Sequence, residues 1–169
     1  MLKGEDVVLQ LKLLQGVPDW TVRALADTIK VPRSGVHRSL GRLREAGLLD
    51  GQRMNVGRSE EFLVHAVKYM FPPVVSGEAR GVPTGWSAPP LRDAISSGPS
   101  EIPLVWPHPL GEVRGLALAP LHAAVPGLAL DDEEMWARLA LIDGLRMGDA
   151  RIRGVAEKLL VAKLDAVLT

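Results

Sequence analysis

The chain has no cysteine. That excludes disulfides, thiolate zinc sites and cysteine nucleophiles, and it suits a reducing compartment, so a cytoplasmic location is expected. It also lacks any apolar run long enough to cross a bilayer, and no membrane association is expected. The opening stretch MLKGEDVVLQLKLLQG mixes acids with apolar residues, which does not read as a signal peptide. There is no HExxH pair, no glycine-rich phosphate loop and no nucleophile elbow. His65, His108 and His122 lack metal-ligand spacing. The expectation is therefore of a non-enzyme with no catalytic residues, no cofactor and no metal site.

Net charge is missing as well, but the zero hides an asymmetry. Residues 1–70 hold eleven Lys/Arg against eight Asp/Glu, and residues 71–169 hold nine against twelve. Arg33, Arg38, Arg42 and Arg44 fall in one short stretch with no acid before Glu45. A local basic stripe on a neutral protein points to a small, specific footprint on a polyanion.

Nearly half of the 169 residues are apolar, which suffices for a packed core. The chain reads as mainly α, in three parts. Residues 1–70 read as a (winged) helix-turn-helix domain. Val7, Val8, Leu11 and Leu14 recur at helical spacing over Glu5 to Gln15, and Gly16 stops that helix. Thr21 is a good N-cap for a second helix, Val22 to Ile29, with Val22, Leu25, Ala26 and Ile29 inward. Val31 is an apolar residue placed to plug the turn. Pro32 suits the entry of a third helix running to Ala46, with Val36, Leu40 and Leu43 inward. Gly47 supplies its left-handed stop. Residues 50–58 suit a short hairpin. Residues 59–70 read as either the second wing strand or a helix; the helix is favoured, capped by Ser59, with Phe62, Leu63, Ala66, Val67 and Met70 on one side.

Residues 71–129 carry eleven of the thirteen prolines, with Trp86 and Trp106. They read as an extended, proline-braced arm with short strands, the tryptophans acting as packing anchors. Residues 130–169 read as a helical hairpin. Asp131 with Glu134 has capping-box spacing, Leu130 and Met135 suit a hydrophobic staple, and Asp149 caps the last helix. The acids 131–134 suit the positive end of a helix. Asp143, Arg146, Asp149, Arg151 and Arg153 read as a salt-bridge mesh fixing the hairpin, with an anion, nucleic-acid or partner contact as the alternative. The hairpin has more apolar surface than two helices can hide, which points to dimerisation or partner binding.

The third helix carries the chemistry. The major groove admits one helix, and an arginine in its first half can hold guanine bidentately, worth roughly 1–3 kcal/mol of discrimination. Arg33, Ser34, His37 and Arg38 are placed to meet base edges. Thr21, Arg42 and Arg44 are placed to hold phosphates.

The stretch TVRALADTIKVPRSGVHRSLGRLREAGLL, Thr21 to Leu49, resembles winged helix-turn-helix bacterial transcriptional regulators, including MarR-like ones. The shared pattern is a capping Ser/Thr, an LA pair, a small turn, a Ser/Arg-rich helix start and a closing L-x-x-L-x-x-x-G-L-L ending. The likeness covers about residues 4–56. Pro32, in place of the usual Ser/Thr cap, and Gly35, inside the third helix, depart from it. The resemblance implies a sequence-specific regulator of transcription that binds double-stranded DNA, a homodimeric repressor reading the major groove with helix 33–46. The alternative is an antitoxin-like adaptor that autoregulates its operon and binds a partner protein through residues 71–169.

Overall fold

A computed structural model describes residues 1–96 and 102–168; the part of the expected arm at 97–101 and the last residue of the expected hairpin lie outside them. The structure is mainly α, with a small sheet. Helix α1 spans Gly4–Leu13, two residues shorter at its end than its periodicity suggests. Val7, Val8, Leu11 and Leu14 are buried, but so are Asp6 and Gln10. The reason is that α1 packs on both sides, against α2 (Val22–Ile29) and α3 (Arg33–Glu45) and against α8 (Glu133–Met147).

Thr21 caps α2, its Oγ1 accepting from the Ala24 N–H at 3.1 Å. Lys30, with φ +60°, closes the helix in the left-handed region. Val31 is buried between the helices, as expected of the turn residue. α3 begins right after Pro32, and Gly47 follows its end with φ +75°. A Cβ on Gly35 would lie 2.9 Å from Val31 Cγ1. Gly35 is therefore what lets the turn settle onto α3, and the helix starts where Pro32 places it.

Strands β1 (Leu49–Asp50) and β2 (Arg53–Met54) form a two-residue hairpin, Leu49 opposite Met54 and Asp50 opposite Arg53. Gly51, with φ +58°, takes the first turn position, which demands a positive φ in a tight hairpin. The Trp20 indole N–H donates to the Gln52 carbonyl at 3.0 Å, and the Gln52 amide returns a bond to the Trp20 carbonyl at 3.3 Å.

Residues 56–70 are helical, as α4 (Val56–Glu61), a π-helical stretch Phe62–Ala66 and α5 (Val67–Met70). The cap is Asn55, which accepts from the Arg58 N–H at 3.0 Å, and not Ser59, which is buried inside the first turns. The inward side is Leu63, Val64 and Val67, while Met70 is 39 % exposed. The π stretch adds a residue to one turn, so the face after it is offset from the one that regular helical spacing gives.

The described residues of 71–129 do not form an extended arm. Strands β3 (Val75–Pro83), β4 (Leu104–Pro107) and β5 (Val113–Leu118) each pair with both of the others, closing the sheet on itself. β3 runs antiparallel to β4, with Val82 opposite Trp106, and antiparallel to β5, with Arg80 opposite Arg114. β4 and β5 run parallel. Among the described residues, prolines lie at strand ends and turns (Pro73, Pro83, Pro103, Pro107, Pro120) and in the first turn of α7 (Val125–Asp131), where a missing N–H costs nothing. Their density marks boundaries between short elements. A 3-10 turn at Gly85–Ser87 and α6 (Leu91–Ala94) place Trp86 and Leu91 in the core.

α7 occupies residues 125–131, so α8 starts one residue later than expected. Asp132, not Asp131, is its cap, accepting from the Met135 N–H at 3.1 Å, and Leu130 stays exposed, with no staple to Met135. Asp149 caps α9 (Ala150–Ala166), accepting from the Ile152 N–H at 2.9 Å. α8 is buried all round from Arg138 to Leu145, as a central helix must be. It packs on α1, α5, α7, α9 and the turn carrying Trp86. Most of the apolar surface expected of the hairpin is thus covered within the chain, while Leu130, Val167 and Leu168 stay exposed.

Asp143 is the polar anchor of that packing. Its Oδ2 accepts from Thr84 Oγ1 and Trp106 Nε1, both at 2.7 Å, and its Oδ1 accepts from Arg146 at 2.8 Å. Arg146 Nε donates to the Phe71 carbonyl at 2.8 Å. Burial pushes the Asp143 carboxyl upward, against the pull of Arg146, Thr84 and Trp106. Asp143 and Arg146 form part of the expected mesh, and they tie α8 to Thr84, to Trp106 of β4 and to the end of α5.

Candidate nucleic-acid interface

α3 is presented by the elements around it. The Thr21 cap fixes the start of α2, Val31 and Gly35 fix the turn, and the buried Val36, Leu40 and Leu43 fix which side of α3 faces inward. Arg33, Ser34, His37 and Arg38 lie on the opposite side and are exposed. Among the described residues none of these four side chains has a hydrogen bond or ion pair. The first half of α3 therefore offers two arginine forks, an imidazole and a hydroxyl, all uncommitted, beside the positive end of the helix.

Arg44 is exposed and spends one guanidinium N–H on the Gly51 carbonyl at 3.2 Å. That bond lays the hairpin turn against the last turn of α3. Thr21 is exposed, and its hydroxyl still has a proton to donate while its oxygen caps α2.

Arg42 stands apart. Its Nε donates to Asp6 Oδ2 at 2.8 Å, and its NH2 donates to Asp6 Oδ1 at 2.9 Å and Glu5 Oε1 at 2.7 Å. Ser39 Oγ donates to the same Asp6 carboxylate, which is 1 % exposed. Hydrogen bonding to Asp6 holds the Arg42 guanidinium above its ordinary range, with burial opposing and the charges of Asp6 and Glu5 adding. The position expected to hold phosphate is instead a strut between α1 and α3. Asp6 is a residue that the sequence reading passed over: it counted only as one of the acids of the opening stretch.

Two further free cations border this surface. Arg23 sits in the first turn of α2 and Arg53 on β2, both exposed and without an ion partner among the described residues. Arg53 was legible from the hairpin reading of residues 50–58, one residue beyond the Gly51-Gln52 turn. Most other basic side chains are engaged: Lys12 with Asp132, Lys30 with Asp131, Arg138 and Lys163 with Glu134, Arg146 with Asp143. Among the described residues no group of three His, Asp or Glu could hold a metal ion, and no helix is long and apolar enough to cross a membrane. No family model, curated protein or solved structure matches the chain.

Proposed function

We propose that the protein is a sequence-specific, double-stranded DNA-binding regulator of transcription that reads the major groove with α3. The supporting observation is the pairing pattern. Basic side chains elsewhere are largely tied up internally, while Arg33 and Arg38 share one exposed helix face with Ser34 and His37 and are committed to nothing. In this reading residues 1–70 act as a winged helix-turn-helix. Arg33 and Arg38 hold base edges, Ser34 and His37 complete the readout, and Thr21, Arg44, Arg23 and Arg53 hold backbone phosphate. Arg42 is withdrawn from the contact set.

One such helix has a small footprint, so a homodimer on two half-sites a helical turn apart is the form we propose for tight binding. The terminal helices use most of their apolar residues internally, which favours an interface elsewhere. The apolar groove beside Leu2, Phe62, Tyr69 and Met70, where Tyr69 is 77 % exposed, is the better candidate. The adaptor reading ranks second because the uncommitted basic face lies on α3 and not in residues 71–169.

The test is selection of bound duplexes from a random pool, followed by titration of the selected site. Arg33→Ala and Arg38→Ala are each expected to cost about 1–3 kcal/mol and to relax specificity at one or two positions. Failure of the pool to enrich, or enrichment that both variants preserve, overturns the reading.

A further inference from the structure

A cavity of about 600 Å³ opens between the sheet and the start of α8. Its wall includes Pro83, Leu110, Leu130 and Trp136. Leu110 is 72 % exposed and Leu130 46 %, two large apolar side chains left to solvent at one opening. The Trp136 indole N–H donates to the Pro83 carbonyl at 2.8 Å, which holds the ring in place as part of the wall. The polar lining is of one sign: Glu112, Asp131 and Glu133, with no basic residue among those that line it. Glu112 and Glu133 have no partner among the described residues. Asp131 has one, the Lys30 ammonium at the end of α2.

Each feature selects on the ligand. The volume is that of a small-molecule site. The leucines and proline require an apolar body. A fixed indole face attracts a cation, and the carboxylates repel an anion. We propose that this cavity binds a small organic cation with an apolar body, and that the cation competes with Lys30 for Asp131. Lys30 directly precedes the Val31 turn that seats α3, so occupancy bears on the reading head. That consequence for DNA rests on the proposed function; the binding itself does not.

The test uses the 169-residue chain, tetraphenylphosphonium, and tetraphenylborate as its equally shaped anionic counterpart. Tryptophan fluorescence reads binding, with Trp136→Phe assigning the signal. The phosphonium is expected to bind saturably and the borate not. Glu112→Gln with Glu133→Gln is expected to weaken the phosphonium at least tenfold, and Lys30→Met to tighten it several-fold by freeing Asp131. All three residues are exposed, and unchanged far-UV circular dichroism checks that the variants fold. No saturable binding, equal binding of both ions, or indifference to the two glutamates overturns the site. Unchanged affinity in Lys30→Met overturns the competition. If the selected DNA binds with equal strength whether or not the cavity is filled, the link to α3 falls and the site stands. If no DNA is ever selected, the proposed function falls and the cation titration is unaffected.

Discussion

Asp6 of α1 and Arg42 of α3 meet fork to fork across the helix crossing, two parallel N–H···O bonds of 2.8 and 2.9 Å onto a carboxylate hidden from solvent. Such a pair is geometrically selective, and losing one member strands the other. Arg42→Ala is expected to cost about 3 kcal/mol of stability, read by urea unfolding. At temperatures where the variant is folded, the slope of log affinity against log salt for DNA should match the wild type. Arg38→Ala should do the reverse, leaving stability nearly unchanged and shallowing the slope by about one. A shallower slope for Arg42→Ala would return it to the phosphate-contacting set.

Gly41 lies on the outward side of α3 with Ser34, His37 and Arg38, and a Cβ there would meet nothing within 4 Å. A mid-helix glycine without a packing reason gives up about 1 kcal/mol relative to alanine. Gly41→Ala is therefore expected to raise stability by about that amount. If α3 enters a groove, the same change should weaken DNA binding, because the added methyl meets the groove floor first. Higher Tm with unchanged affinity would place the DNA elsewhere.

Asp143 ties α8 to Thr84 and Trp106 while neutralising Arg146, whose side chain is 4 % exposed. Asp143→Asn leaves the guanidinium without its counter-charge and should destabilise by about 3 kcal/mol. Adding Arg146→Met should recover part of the loss. Chemical denaturation of the single and double variants measures both.

Glu134 gives a pH signature. Partial burial raises its carboxyl, but hydrogen bonds from Arg138 and Lys163 outweigh that and hold it below the ordinary glutamate range. A depressed folded-state value means the unfolded chain takes up the proton first as pH falls. The contribution is present above the ordinary range and is lost as acid titrates the folded group. Melting temperature should drop through that window, and Glu134→Gln should flatten the drop. An unchanged profile would locate the acid sensitivity in another carboxylate.

The part of the chain legible in sequence is the part whose contacts are local. Thr21 capping α2, Val31 plugging the turn, Gly47 ending α3 and Asp149 capping α9 all act within a few residues, so spacing alone reveals them. The tight hairpin was legible for the same reason. What was not legible depends on long-range partners. Arg42 looks like its neighbours Arg38 and Arg44 until Asp6, thirty-six residues away, is placed against it. The prolines of 71–129 suggest an arm until β3 pairs with two strands that follow it. Asp131 has the capping-box spacing until α7 claims it and leaves the cap to Asp132. Ser59 fails as a cap because Asn55, four residues earlier, already serves.

The ring of β3, β4 and β5 has a consequence for how this protein meets others. At Gly81, Val105 and Leu116 each strand has a partner on both sides, so none presents an open edge of amides and carbonyls at those residues. Strand addition by another chain, whether a docking peptide or a second molecule beginning an aggregate, has no template there. Any association through that end of the molecule must be made by side chains on a finished surface.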